Sequence, residues 1–529
     1  MLTPPSPSEV QVLVVEDLSQ QRLPARTLTA VLRRSGLTVR LVQFGSAADV
    51  PALVAMADRS QPRMIVLSIL FAHLLADNLA LAESLRAAGV AAHVTLAGAL
   101  PGLVAAELLR ACPALSSVVC GEAETCLGQL ASCLVEGADW RATPGLAHRT
   151  PGVMVNSLPP PVADLDMLPW PARDGGLATT MGYGFATLEA SRGCHHACAF
   201  CLPCAFYRSL CRGPARQVSS AYRLRSIARL MDELEALYLR GVRLFMFDDE
   251  QFLPPGDARR LRVGELEDQL RRRGLEIAFT VKCRADDFEP SLFRKLRELG
   301  LIRVYLGVES GCPETLRILA KGVTPADNLR ALAGLDALDI PADFRSLLFH
   351  PWSTMATVRA DIEFLELALP HVSTPFTFRE VECYPGTLLG ERLLAALPAE
   401  EAARAASVRP LPYILADPAA ELLRRLNRVV FGARQSEQGV DARLATAWFH
   451  VGLLRRFRPS DDHDCQARAM RRAVQRWNAR TLEVWREMLA FVANGALSDA
   501  ELVNRQAGLW AGRANADDMS IAQEVERLF

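Results

Sequence analysis

The chain has 529 residues, room for roughly two to four domains, and half of them are hydrophobic against 22% charged, which excludes a disordered chain. Lys and Arg total 59 and Asp and Glu 60, a net charge of −1, so bulk electrostatics gives no reason to expect a nucleic-acid partner. The counts of Gly, 33, and Pro, 32, are ordinary and exclude collagen-like and low-complexity classes.

The first residues, MLTPPSPSEV, carry no basic segment followed by an apolar one, so no export signal is expected. Thirteen cysteines, an odd number, argue against a disulfide framework. Met64–Ala76 is apolar but shorter than the roughly 20 residues a membrane helix needs. Gly89–Ala106 is uncharged but is interrupted by Pro101 and several Gly. The expectation is a soluble cytoplasmic protein without a membrane partner.

Val10–Val15 is a short apolar run broken only by Gln11, as in a buried parallel strand. Pro24–Gly36 reads as a helix stopped by Gly36. Strands are expected at Thr38–Phe44, Met64–Leu70, His93–Ala97 and Ser117–Cys120. Helices are expected at Ala52–Ser60, Leu75–Gly89, Leu103–Ala111 and Glu124–Glu136. This alternation predicts a doubly wound parallel sheet, whose ligands sit beyond the carboxyl ends of the strands.

Two families resemble this segment. A response-regulator receiver shares the acidic pair Glu16 and Asp17 after the first strand. It would need an Asp where Leu67 and Ser68 stand and a Lys within His93–Cys120, and neither is present. The segments IVLSILF, TLAGALPG and VVCGEAET instead resemble three loops of cobalamin-binding domains. The resemblance implies corrin contacts at Ser68, Ile69, Leu70 and Phe71, at Gly98, Ala99 and Leu100, and at Gly121 and Glu122. The DxHxxG motif, which gives cobalt a histidine, is absent, so cobalamin would bind without that ligand.

SRGCHHACAFC places Cys194, Cys198 and Cys201 in a CxxxCxxC pattern. Three thiolates on one loop can hold three irons of a [4Fe–4S] cluster and leave the fourth open. Zinc, with Cys204 as fourth ligand, is the plainer alternative. The strand before the loop, LEASR, and Phe200 before the third cysteine resemble the radical S-adenosylmethionine (SAM) superfamily and decide for the cluster. Later segments extend the resemblance: RLFMFDDEQF, EIAFTVKCR, IRVYLGVESG with KGVT, DFRSLLFHP and FTFREVECYPGT.

That resemblance implies a partial (β/α)6 barrel with its site at the strand carboxyl ends. It implies SAM contacts from Phe200, Asp248, Asp249, Glu250, Lys282, Arg284, Glu309 and Ser310. His350, Trp352 and Tyr384 lie near expected strand ends and are candidates to touch substrate. Cys204, Cys211, Cys312 and Cys383 read as buried inert thiols.

From about residue 398 the pattern turns helical and Arg-rich, with helices expected at Leu422–Val430, Ala442–Phe457, Ala467–Asn494 and Asp499–Leu509. Trp448, Trp477, Trp485 and Trp510 are expected to pack. The expected organisation is an α/β chain: a Rossmann-like cobalamin domain over 8–145, a linker over 146–183, a barrel over 184–397 and a helical region over 398–529.

Joined in this order, the two domains resemble cobalamin-dependent radical SAM enzymes. The resemblance implies three cofactors: a [4Fe–4S] cluster, SAM and cobalamin as methylcobalamin. It implies a methyltransferase acting on an unactivated carbon of a small molecule or peptide, fed electrons by a donor such as flavodoxin or ferredoxin. A cyclase, ring-contraction or rearrangement enzyme with the same cofactors is the alternative. A cobalamin- or redox-responsive binding protein is the reading from a different class.

Overall fold

The computed structural model describes residues 10–17, 23–69, 72–149, 152–211, 222–398, 410–436, 439–495 and 500–528. The chain forms two compact units. One comprises residues 1–178, 186–236 and 383–411, and the other 179–185, 237–382 and 412–529.

The first unit is built on a seven-stranded sheet. Its strands are β1 (Val12–Asp17), β2 (Val39–Phe44), β3 (Met64–Ser68), β4 (His93–Ala97), β5 (Ser117–Val119), β6 (Leu146–Arg149) and β7 (Val153–Val155), in the order β2-β1-β3-β4-β5-β6-β7. The first five pair in parallel. Successive side chains of a strand point to opposite faces. Thus Leu13, Val15, Ile65 and Leu67 enter one core, while Val12, Val14, Met64 and Val66 enter the other. Helix α1 (Leu23–Arg34) covers the second face with Leu28 and Leu32. Helices α2 (Val50–Ser60) and α3 (Leu75–Ala87) cover the first with Leu53, Leu81 and Leu85. Apolar cover on both faces is why β1 and β3 read as mostly hydrophobic runs.

Strand direction out from β1 reverses between β2 and β3, which places a crevice at the carboxyl ends of β1 and β3. Two details differ from expectation. The helix expected at Leu103–Ala111 is two, α4 (Ala99–Leu103) and α5 (Ala105–Ala111), broken at Val104, whose φ of −120° is not helical. β6 and β7 form an antiparallel pair in the segment expected as a linker. Both are short, and Val153–Val155 is partly exposed, so neither carries a hydrophobic signature.

After α6 (Leu127–Glu136) and the pair β6–β7, the chain passes through β8 (Ala178–Thr180), β9 (Tyr183–Leu188) and β10 (Ser191–Arg192). It continues through α7 (Leu202–Leu210) and β11 (Arg223–Leu224), the latter antiparallel to β10.

In the second unit β12 (Val242–Phe247), β13 (Ala278–Arg284), β14 (Leu301–Gly307) and β15 (Ala342–Asp343) run parallel. β16 (Arg345–Phe349) and β17 (Thr377–Glu380) form a second parallel pair. A single parallel bridge, Glu309 to Ser346, carries the arc from β14 to β16. The expected barrel strands therefore form, alternating with helices such as Pro290–Leu299 and Met355–Ala368.

Among the described residues, helices follow at Pro418–Phe431, Val440–Phe457, Asp461–Ala493 and Ala500–Glu526. Trp485, fully buried, meets Phe378 of β17 at 5.3 Å and Phe431 at 6.0 Å between ring centroids. Trp448, Trp477 and Trp510 are buried too, in the packing role expected. Arginines of this region pair with carboxylates of the second unit: Arg424 and Arg428 with Glu380 of β17, and Arg434 with Asp518. No helix among the described residues is long and apolar enough to cross a membrane.

Candidate functional site

In the first unit, β10 ends at Arg192 and the chain turns at Gly193, whose φ of +79° suits only glycine without strain. The loop Cys194–Cys201 follows. The Cys201 amide donates to the Cys198 carbonyl at 3.2 Å, and Leu389 donates to the Ala199 carbonyl at 2.9 Å. Helix α7 starts immediately afterwards, with Pro203 in its first turn. Cys194, Cys198 and Cys201 are each partly exposed, as ligands of a cofactor at a loop surface need to be.

The donor set is entirely sulfur, soft and anionic once deprotonated, which fits an iron–sulfur cluster. Among the described residues, no three His, Cys, Asp or Glu side chains converge on a single ion position. Ligands to three corners of a cube have no such shared point. Phe200 is half-buried beside Cys201. Cys204 is buried and donates to the His196 carbonyl at 3.5 Å. Hydrogen bonding to Cys194 and Cys201, with burial, pushes its thiol up.

Ser68, Ile69, Gly98, Ala99, Leu100, Gly121 and Glu122 all lie at or just beyond the carboxyl ends of β3, β4 and β5. Leu70 and Phe71 lie outside the described residues. Gly98 has φ +148°, and a Cβ there would stand 2.1 Å from the Ile69 carbonyl oxygen. Only glycine lets the loops after β3 and β4 close on each other this tightly. Beside Gly121, a Cβ would meet only Leu210, at 3.7 Å.

Glu122 is buried and does not face open space. It accepts from the Val162 amide at 2.6 Å and from both terminal nitrogens of Arg223 at 2.9 and 2.7 Å. Burial alone would push its carboxyl up; the Arg223 and Arg192 charges outweigh that and hold it below the ordinary value.

In the second unit, Asp248 follows β12 and accepts from Lys282 of β13 at 2.6 Å. Asp249 is fully buried and Glu250 exposed. Arg284, expected at the SAM site, is buried; its Nε donates to Asp286 at 2.9 Å and its Nη2 to the Lys321 carbonyl. Glu309 follows β14 with φ +63°, rare for a residue with a Cβ and a sign of a locally imposed conformation. Its carboxylate accepts from Lys321 at 3.0 Å. Beneath it, Asp361 Oδ1 accepts from the Ser310 hydroxyl and the Gly311 amide, both at 2.6 Å, and from the Cys312 amide at 3.1 Å. Asn328 donates to the carbonyls of Val308 and Ser310 at 3.2 and 2.9 Å.

The structure therefore gathers Asp248, Lys282, Glu309 and Ser310 at the ends of adjoining strands. Lys321, Asn328 and Asp361 hold the loop and were missed. Lys321 stands in KGVT, a motif with no role attached; Asn328 and Asp361 are single polar residues on amphipathic helices, without any local signal.

His350 is fully buried, with Nε2 3.3 Å from the Thr315 hydroxyl and Nδ1 accepting from the Trp352 amide at 3.3 Å. It braces the turn after β16. Trp352 is half-buried. Tyr384, in the first unit, is buried against that unit's core.

The radical SAM superfamily model matches residues 188–365, and the B12 binding domain model matches residues 17–131. An uncharacterized methyltransferase of Pyrococcus horikoshii is 27% identical over 297 residues, 54% of this chain and 60% of that protein. An anaerobic magnesium-protoporphyrin IX monomethyl ester cyclase of Rubrivivax gelatinosus is 27% identical over 255 residues, 45% of this chain and 42% of that protein. The matched stretches thus span about half of these relatives' length. The fold is shared with the cobalamin-dependent SAM radical enzyme OxsB, whose structure holds aqua-cobalamin and SAM: TM-score 0.65, 17% identity, 96% of this chain and 84% of that one. The chain thus joins a B12 binding domain to a radical SAM domain that carries a three-cysteine loop, and these two domains imply cobalamin, a [4Fe–4S] cluster and SAM as cofactors.

Proposed function

We propose that this enzyme transfers a methyl group from SAM, by way of cobalamin, to an unactivated carbon of a small-molecule or peptide substrate. The observation that carries the two-cofactor reading is the joining of the cysteine loop and the corrin loops in one unit, through Arg192 and Glu124 at 2.8 Å. The methyl-transfer part draws support from the methyltransferase of Pyrococcus horikoshii.

When bound, the cofactors supply radical generation from SAM and a methyl group that need not attack as an electrophile. The chain's part is to hold and orient. Cys194, Cys198 and Cys201 ligate the cluster, and Phe200 packs beside it. Asp248 and Asp249 present carboxylates suited to an ammonium group. Glu309, fixed by Lys321, would accept from the SAM ribose hydroxyls. Ser68, Ile69, Gly98 to Leu100, and Gly121 shape the corrin rim, and the apolar surroundings of β3 to β5 exclude water there.

A second reading keeps both cofactors and ends in ring closure with no methyl transferred; the Rubrivivax gelatinosus cyclase favours it. Product analysis separates the two. Purified, anaerobically reconstituted enzyme is incubated with substrate, SAM and a low-potential reductant, with flavodoxin or ferredoxin as alternative donors. Formation of S-adenosylhomocysteine together with 5′-deoxyadenosine supports methyl transfer; 5′-deoxyadenosine alone overturns it in favour of the cyclase reading.

A further inference from the structure

The cysteine loop is anchored to the corrin loops on both of its flanks. On the leading flank, Arg192 lies two residues before Cys194. Its Nη2 is 2.8 Å from Glu124, its Nε 3.0 Å from Glu189 and its Nη1 3.6 Å from Glu122. Glu122 and Glu124 belong to the loop after β5, the third of the corrin loops. The side chains of Arg192, Glu122 and Glu124 are each less than a tenth exposed. On the trailing flank, Phe206, Tyr207 and Leu210 of α7 pack against Ala99 and Leu103, in the second corrin loop and its helix. A Cβ on Gly102 would come within 3.3 Å of Phe206.

Such an arrangement makes the two cofactor loops one mechanical piece. Arg192 presents a rigid planar fork that grips Glu122 and Glu124 of the loop after β5 while Glu189, just before β10, holds it from its own side. Buried charges of this kind tolerate little displacement, because separating them leaves a carboxylate in low dielectric without its counter-charge. A cluster that fixes the path of Cys194 fixes Arg192 and, through it, the backbone of Gly121–Glu124.

We propose that Arg192 is a positioning residue that couples cobalamin binding to occupancy of the cysteine loop by its cluster. Coupling of this kind is reciprocal: if the cluster tightens cobalamin binding by some factor, cobalamin stabilises the cluster-bound state by the same factor. The proposal rests on the assignment of the two cofactors to these two loops.

The test is titration of hydroxocobalamin into cluster-loaded and iron-free full-length protein, followed by absorbance. Wild-type protein is expected to bind cobalamin about 5- to 100-fold more tightly when the cluster is present. Arg192→Lys keeps the charge but loses the fork, and is expected to bring this ratio below about 3 while iron-free affinity changes little. Glu124→Gln removes the charge from the shortest contact yet leaves Arg192 beside Glu122 and Glu189; it is expected to lower the ratio as well and decides the matter if Arg192→Lys does not fold. Equal affinities in the two wild-type forms would overturn the proposal, as would a wild-type ratio kept by a folded variant. Failure of the underlying cofactor assignment looks different: wild-type protein then binds no cobalamin, or takes up no iron.

Discussion

The Oδ1 atom of Asp361 receives the Ser310 hydroxyl and the Gly311 amide at the same distance, 2.6 Å, while its Oδ2 is buried without a hydrogen-bond partner. A carboxyl with one satisfied oxygen and one bare one favours the protonated form. Burial, only partly countered by these hydrogen bonds, pushes its pKa up to about 7.

This has a consequence for pH. A carboxyl protonated more readily in the folded state binds more protons there than when unfolded, so its contribution to stability falls as pH rises. The contribution is complete below about pH 4 and lost as pH climbs through about 7. Asp361→Asn should remove this dependence while preserving the acceptor at Oδ1. Denaturant unfolding of both proteins between pH 5 and pH 8 checks it: the wild type should lose on the order of 1–3 kcal/mol relative to the variant. A constant difference would contradict the prediction.

Gly307 ends β14 next to the Glu309–Lys321 pair. A Cβ there would stand 2.7 Å from Lys321 Nζ and 3.2 Å from Glu309 Oε1. Lysine's end is flexible, so Gly307→Ala should fold, but with the pair displaced. SAM affinity of the cluster-loaded variant, by equilibrium dialysis, should fall by about 10-fold, roughly 1.4 kcal/mol. Unchanged affinity would remove Glu309 from the SAM site.

Gly98→Ala places a methyl 2.1 Å from the Ile69 carbonyl at a φ of +148°. The clash is with backbone, so it cannot be relieved by a rotamer change. We expect a loss of about 2–4 kcal/mol in stability and failure to retain cobalamin through gel filtration. A variant that keeps stoichiometric cobalamin would show that the loops after β3 and β4 need not meet so closely.

Much of this was legible in sequence because its causes are local. β1 and β3 are covered on both faces, so they appear in the largely apolar runs Val10–Val15 and Met64–Leu70, broken only by Gln11 and Ser68. The cysteine loop is legible because three sulfurs must reach one cluster from one short segment. Lys321, Asn328 and Asp361 were not legible, because each acts on the Val308–Cys312 loop from another element. The family resemblance implies a SAM contact for Arg284, whereas its contacts to Asp286 and the Lys321 carbonyl are structural. His350 resembled a substrate contact by its strand-end position, and full burial makes it a brace for its turn.

The cysteine assignment also predicts a clean separation of the two metal cofactors. Cys198→Ala should lose the cluster absorbance and most of its iron while still binding corrinoid, though more weakly through the coupling at Arg192. Iron and cobalt quantification on the anaerobically purified variant checks both halves. A full iron complement would mean that Cys198 is not a ligand.

The most direct measurement is SAM cleavage under a low-potential reductant, comparing anaerobically reconstituted wild-type enzyme with Cys198→Ala. The account predicts 5′-deoxyadenosine from the wild type and a drop of at least about 100-fold in the variant, more than 2.7 kcal/mol of lost catalysis. Equal cleavage by the two, or none by a wild-type protein carrying its full cluster, would contradict it.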